Sequence, residues 1–447
     1  MSSELIEIAE LITSWGEKGE QIEAVVARDS ETEVRAYEGE IESLTVAESQ
    51  GVGVRVIKDG RQGFAYAGTL EKSELLEVLR EARDNAGFSS PDEFAGLAEP
   101  DGVESVSLNV YNDDLNQLPT SEKINYALEL EKLTLSSDKR IIGIESSEYT
   151  DVVSESAIAT STGIRSSSKE SGCCLMVYAL AEQESETQTG FGFSIGRSPG
   201  ELDITKAASD ASDRATRMLG STKPRSERLT VVLDPWVSAQ FLQVVGTTLS
   251  AEMVLKGRSL FAERLGEKVA SPAFSLVDDP TDSRAFTATE TDGEGLATRR
   301  NVLIEDGELK MFLHNVWTAR KAELASTGSA IRSYASTPGV GIQAVSLLPG
   351  ERDPIELIKG IDNGILIQSV TGLHSGVNPI SGDFSTGAEG LRIRNGELSE
   401  PLREFTIGST IQKMLKDIKE VGNDTDWLPM SSAGSTVVIN ELTVSGG

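Results

Sequence analysis

The segment LTVVLDPWVSAQFLQVVGTTLSAEMVLKG, Leu229 to Gly257, decides how this chain is read. LTVVLD has the β-branched and apolar composition of a buried strand. It runs straight into Asp234-Pro235, an N-cap acceptor followed by the residue best tolerated at the first helical position, so a helix is predicted to start there. That helix is apolar on nearly every side, which predicts burial, and Gly257 is its expected C-terminal stop. Two later stretches, NVLIEDGELKMFL and LRIRNGELSEPL, are each a pair of strands joined by Asp-Gly or Asn-Gly, the commonest tight-hairpin signals. Residues 228–447 are therefore expected to form a β-rich C-terminal domain around one buried helix.

A chain of 447 residues exceeds what a single core holds, since cores stop growing at roughly 250–300 residues. Upstream, Leu5, Ile8, Leu11, Ile12 and Trp15 follow helical spacing. EAVVARD, TEVRAYEGEIESLTVAES and GVGVRVIKDGRQGFAYAG then alternate with the two-residue period of half-buried strands. SELLEVLREARDNAG closes this unit as an amphipathic helix ending at Gly87, and the Pro-, Gly- and acid-rich Phe88 to Gly102 reads as a linker. The middle segment has a helix, TSEKINYALELEKLTLSS, a set of β-alternating stretches, and a second helix near Leu202 to Leu219. Ser221 to Glu227 is its exit linker. The predicted fold class is α+β (mixed α/β): an N-terminal α/β domain over 1–102, a middle α/β domain over 103–227, and the β-rich domain over 228–447.

Composition excludes several classes of function. With 71 Asp+Glu against 41 Lys+Arg the net charge is −30, which repels phosphate backbones and anionic membrane surfaces, so no direct nucleic-acid contact is expected. No apolar run is long enough to span a membrane, and MSSELIEIAELITSWGEKG has acids where a signal peptide needs a basic stretch. A cytoplasmic protein is expected. Its only two cysteines, Cys173 and Cys174, are adjacent, which reads as two alternating strand positions rather than a structural bridge.

Catalytic constellations are scarce. Only two histidines, His314 and His374, occur, 60 residues apart and without a His/Cys/Glu cluster at ligand spacing. Neither a G-x-S-x-G elbow nor a phosphate-binding G-x-x-x-x-G-K-[ST] loop is present, and GVGVRV reads as a glycine-turned strand. Carboxylates gather at Asp278-Asp279 and at Glu290, Asp292 and Glu294; such groups can serve acid–base chemistry or hold a divalent cation, but in a chain this acidic the expected role is that of polar turns.

Several segments, in order, carry a resemblance: YEGEIESLTVAESQGVGVRVIKDGRQGFAYAG, KGRSLFAERLGEKVASPAFSLVDDPT, GEGLATRRNVLIEDGELKMFLHNVWTAR, STGSAIRSY, LLPG, NPISGDFSTGAEGLRIRNGELSEPL, EVGND and NELTVSGG. The chain resembles the TldD/PmbA family throughout its length. That resemblance implies a cytoplasmic heterodimeric metalloprotease, a peptidase built from TldD- and TldE/PmbA-type subunits, that processes or degrades unfolded or modified peptides. In TldD-like chains an H-E-x-x-x-H sequence on the buried helix supplies two zinc ligands and a base, and a cysteine near the C-terminus a further ligand. Five-residue spacing brings both histidines to one side only through a local π-type widening.

The matching positions here are Leu242, Gln243 and Thr247, which offer no ligand pair and no base, and the tail SSAGSTVVINELTVSGG has no cysteine. The chain thus resembles the TldE/PmbA-type subunit. The expected catalytic and metal sets are empty, with zinc and base in a TldD-like partner. The loop from Gly372 to Glu389 is read as part of a peptide cleft, an inter-subunit surface, or a turn that merely packs. Its candidate substrate-binding residues are Gly372, His374, Ser375, Gly376, Gly382 and Asp383, with glycines that permit close backbone approach and strands that could pair with an extended peptide. Two other readings stay open: a regulatory peptide-binding protein without protease function, in line with the family's association with DNA gyrase modulation, and a stand-alone peptidase built around His374. A homodimer is an alternative assembly when no partner is present.

Overall fold

The structure, a computed structural model, describes residues 3–446. Its first half is built on strands β1 (Glu20–Tyr37), β2 (Glu40–Lys58), β3 (Arg61–Ala67), β4 (Ile141–Thr160), β5 (Arg165–Gln183) and β6 (Glu186–Gly196), which form one sheet in the order β3-β2-β1-β4-β5-β6. The segments expected as separate units over 1–102 and 103–227 thus share this sheet. β1 pairs with β4 from Glu23↔Thr160 to Ala36↔Ser147, because a strand as long as β1 has one edge taken by β2 and leaves the other to be satisfied. The stretch read as a linker is partly packed: Leu97 and Ala98 are fully buried, and the Leu97 amide donates to Gln21 at 3.1 Å.

Helices cover one face of the sheet. Ser3–Ser14 and Lys72–Phe88 bury Ile22, Ala24, Val26, Val52, Val54 and Val56, while Thr120–Ser137 and Ile204–Thr216 bury Val34, Ala36, Leu175 and Val177. The period-2 alternation sends Val25, Ala27, Ser154, Ser156, Ser166 and Ser168 to the opposite face, toward the C-terminal half. Cys173 and Cys174 fall on opposite faces and are free thiols; burial pushes them up to about 12 and about 11, so they are inert at neutral pH.

The C-terminal half is organised by β7 (Glu227–Leu233), which lies parallel to Asn363–Thr371 and antiparallel to Val437–Ser445. Asp383–Arg394 and Glu397–Thr410 extend the sheet from Asn363–Thr371, and Glu397–Thr410 pairs back onto Val437–Ser445 at Thr406↔Ser445, closing a β-barrel. Leu229, Val231 and Leu233 share a core with Val237, Phe241, Leu242 and Val245 of the helix that follows. Val232, on the other face of the strand, packs with Leu366, Ile393, Val438 and Leu357. Both Asp-Gly and Asn-Gly hairpin turns form, with positive φ at Asp306, Gly307, Asn395 and Gly396.

The central helix starts as its sequence predicts: Asp234 accepts from the Val237 amide at 2.8 Å, with Pro235 in the first turn. It ends earlier than expected, at Thr248, and a separate turn, Ala251–Leu255, leads to Gly257 at φ +64°. Leu313 explains the break. Its amide donates to the Leu249 carbonyl and its carbonyl accepts from the Ala251 amide, an inter-segment bridge that takes the backbone groups the helix needed. Among the described residues, no helix is long and apolar enough to cross a membrane.

Candidate functional site

The helix Pro235–Thr248 is regular α throughout, with no π-turn. At about 100° per residue, positions five apart point about 140° away from each other. Leu242 is accordingly sunk in the barrel core at 1% exposure, Gln243 is half-buried, and Thr247 is exposed with its hydroxyl donating to the Gln243 carbonyl at 2.9 Å. A hydrocarbon, an amide and a hydroxyl on divergent sides do not fit a zinc ion and a base. No group of three or more His, Cys, Asp or Glu able to hold a metal ion occurs among the described residues.

The two histidines stay apart in environment as well as in sequence. His314 is buried, which lowers its pKa and keeps the ring neutral, and its Nδ1 has no protein partner. His374 is exposed, on the short turn Leu373–Gly376.

The loop around His374 caps the hairpin between Asn363–Thr371 and Asp383–Arg394 and is tied down by its own bonds. The Gly376 amide donates to the Gly372 carbonyl at 2.7 Å, the Asn378 amide to the Asp383 carbonyl at 2.9 Å, and the Ser381 hydroxyl to Asp383 at 2.7 Å. Ser375 donates to the Gly372 carbonyl at 3.2 Å. The close approach that glycines permit is used within the chain itself at two of them: a Cβ at Gly376 would stand 1.9 Å from the Ser385 carbonyl oxygen, and one at Gly382 would meet the Gln412 side chain. Leu373 and Val377 pack on the barrel core, while His374, Ser375 and Asp383 face solvent.

A second constellation joins Glu23 and Arg55, which read as strand interior, with Glu294 of a stretch that reads as a polar turn and Arg332 of the STGSAIRSY segment. Glu23 on β1 and Arg55 on β2 are direct cross-strand partners, bonded Nε to Oε1 at 2.9 Å and Nη2 to Oε2 at 2.7 Å. Two loops of the C-terminal half complete the cluster. Glu294 lies 3.4 Å from Arg55 and accepts from the Val316 amide at 2.8 Å, and Arg332 donates to Glu23. All four side chains are at most 4% exposed, and two cations offset two anions. Burial raises the pKa of Glu23, but Arg55 and Arg332 outweigh it and hold it below the usual range. Asp292, beside them, accepts from the amides of Glu294, Leu296 and Ala330; burial, then the charge of Glu294, push it up to about 7. Tyr334 seals the joint against Gly53, where a Cβ would sit 1.9 Å from the Tyr334 carbonyl oxygen.

A signal for this cluster was present in the sequence. Glu23 and Arg55 interrupt otherwise apolar strands, and GVGVRV, GEGLATRR and STGSAIRSY are all among the segments that carry the family resemblance. Their convergence was invisible, because 239 residues separate Arg55 from Glu294.

Beside the cluster, between the open face of the sheet and loops 286–293 and 330–334, lies a cavity of about 480 Å³. Its floor is the small-residue sheet face, Ala27, Ser156, Ser166 and Ser168, and its roof carries Thr287, Thr289 and Thr291. Ser156 and Ser168 are hydrogen-bonded to each other at 2.8 Å, and Ser166 to Thr291 at 2.9 Å.

A long helix-backed sheet joined by a buried ionic cluster to a barrel with a central helix makes an α+β architecture. Three domains of one family match the chain in order: PmbA/TldA metallopeptidase domain 1 over residues 22–86, the central domain over 113–219 and the C-terminal domain over 226–446. The chain belongs to the PmbA/TldD family. Metalloprotease PmbA of Escherichia coli O157:H7 is 26% identical over 439 residues, covering 96% of this chain and 93% of the relative. A crystal structure from Thermotoga maritima, of a candidate modulator of a DNA gyrase, superposes with a TM-score of 0.91 at 27% identity, covering 98% of this chain and 99% of that one. TldE from Thermococcus kodakarensis shares the fold, with a TM-score of 0.88 at 24% identity and complete coverage of both chains.

Proposed function

We propose that this chain is the TldE/PmbA-type, non-catalytic subunit of a heteromeric metalloprotease acting on unfolded or modified peptides in the cytoplasm. The observation that carries this reading is the central helix: Leu242 belongs to the barrel core, and Gln243 and Thr247 offer an amide and a hydroxyl on diverging sides. Water attack on an amide needs a Lewis acid or strong oxyanion donors together with a base, and these positions supply none. Zinc and base are assigned to a TldD-like partner. The role left to this chain is to complete the chamber and to limit access to extended segments. The net charge of −30 argues against direct DNA contact, so an effect on a gyrase would run through protein contacts.

The test measures hydrolysis of an unstructured peptide by this chain, by its genomic H-E-x-x-x-H relative, and by the mixture, with and without chelator. Chelator-sensitive cleavage is expected from the mixture and not from this chain alone, together with co-elution on gel filtration. Chelator-sensitive cleavage by this chain alone would overturn the reading, as would failure to associate with or alter the relative.

A further inference from the structure

We propose that the cavity between the open sheet face and loops 286–293 and 330–334 binds short extended peptides of small residues, with the C-terminal carboxylate directed to Arg332 and the N-terminal ammonium toward Glu170. The inference rests on the peptide-handling role proposed above and adds to it a site, a ligand class and an orientation.

Size and shape come first. A volume of about 480 Å³ lies within the range of small-molecule sites, and the floor is a strand face carrying small side chains. The walls carry the hydroxyls of Ser154, Ser156, Ser168, Thr287 and Thr289, which suits a ligand with amide donors and acceptors along its length, and one floor-to-roof bond, Ser166 to Thr291, ties the two walls together.

The two ends differ in charge. Arg332 lines the cavity with a side chain only 2% exposed; Nη1 is engaged by Glu23, Nε lies 3.1 Å from the Ser336 carbonyl, and Nη2 has no protein acceptor. A planar guanidinium left with a free donor is suited to an incoming carboxylate oxygen. Glu170 lines the cavity farther along the sheet, and burial raises its pKa. Thr289 is hydrogen-bonded to its carboxyl, while its neighbour Arg197 spends its guanidinium on the carbonyls of Ser171, Ala285 and Phe286 and so leaves the carboxyl open to a cation.

Strand register sets the length. Glu23, the Arg332 partner, is level with Thr160 of β4, and Glu170 is level with Ser154. Six residues of strand span about 20 Å, which matches an extended peptide of about five or six residues.

Calorimetric titration of the full chain with the pentapeptide Ala-Ser-Ala-Ser-Ala, bearing free termini, tests this. Its C-amidated and N-acetylated forms serve as the other arms. Saturable binding of the free peptide is expected, weaker by about tenfold or more in each blocked form. Arg332→Lys keeps a cation for Glu23 but loses the free donor; it should weaken the free peptide about tenfold and leave the amidated form unchanged. Ser168→Trp fills the floor away from the ionic cluster and should abolish binding while the melting temperature holds, which keeps the test decisive should Arg332→Lys fold poorly. No saturable binding by the wild-type chain, or equal affinity for free and blocked peptides, would overturn the inference. A chain that activates its partner yet binds no pentapeptide refutes this site alone; one that binds the pentapeptide but ignores the partner refutes the subunit reading alone.

Discussion

Glu23 and Arg55 face each other directly across β1 and β2 and form a bidentate ion pair from which solvent is almost wholly excluded, the carboxylate being 0% and the guanidinium 4% exposed. Arg332 and Glu294 reach the same pair from the C-terminal half, so the cluster fastens the sheet to the barrel-bearing half. Glu23→Gln would leave two buried guanidiniums with one carboxylate. A loss of about 3–5 kcal/mol is expected by denaturant unfolding, because the remaining charges stay buried and unpaired. Asp210→Asn, which breaks the exposed pair with Lys206, should cost no more than about 0.5 kcal/mol. Equal effects of the two substitutions would refute the clamp.

Asp278 gives a prediction with a pH signature. One of its oxygens accepts the Gln343 and Ala344 amides at 2.9 and 2.7 Å, the other has no partner, and burial pushes its pKa up to about 6. A carboxyl raised in the folded state favours folding while it stays protonated, and loses that contribution as pH rises from the unfolded value, near 3.9, through the folded one. Asp278→Asn keeps the accepting oxygen without the charge. The variant should gain stability over the wild type between about pH 4 and 6, reaching about 2–3 kcal/mol at pH 8. A stability difference that does not vary with pH, followed by thermal unfolding, would contradict this.

Restoring the metal motif should fail. In the triple variant Leu242→His, Gln243→Glu, Thr247→His, a regular helix aims the two imidazoles about 140° apart, and the first sits in the barrel core. Elemental analysis should find no stoichiometric zinc, and unfolding should show a loss of about 2–5 kcal/mol from placing an imidazole where Leu242 packs. One tightly held zinc per chain would show that the helix can widen to meet the metal.

In the loop, two neighbouring substitutions should separate chemistry from packing. His374→Ala removes an exposed side chain and is expected to change peptide cleavage by the mixed complex by less than about threefold. Gly376→Val drives a branched side chain into the Ser385 carbonyl and should lower stability by about 1–3 kcal/mol. A loss of several orders of magnitude in His374→Ala, with assembly intact, would return the loop to the catalytic centre.

Local chemistry was enough to place the Asp234-Pro235 helix start, the Asp306-Gly307 and Asn395-Gly396 turns and the alternating strands, because each depends on residues within a few positions of one another. That the helix Pro235–Thr248 carries no His, Cys, Asp or Glu is likewise plain from its sequence.

Tertiary structure decided what depends on distant partners. β1 and β4 form one sheet across a composition break that reads as a linker, since a strand edge is satisfied by whichever strand the chain delivers to it. The central helix stops at Thr248 because Leu313, far along the chain, captures its next backbone groups. Glu294 and Asp292 read as polar turn residues by composition, yet they are buried, because Arg55 and the Val316 amide arrive from elsewhere to receive Glu294, and the Ala330 amide joins two amides of the turn itself on Asp292. Burial of a charge is a property of its surroundings, and only the folded chain supplies those.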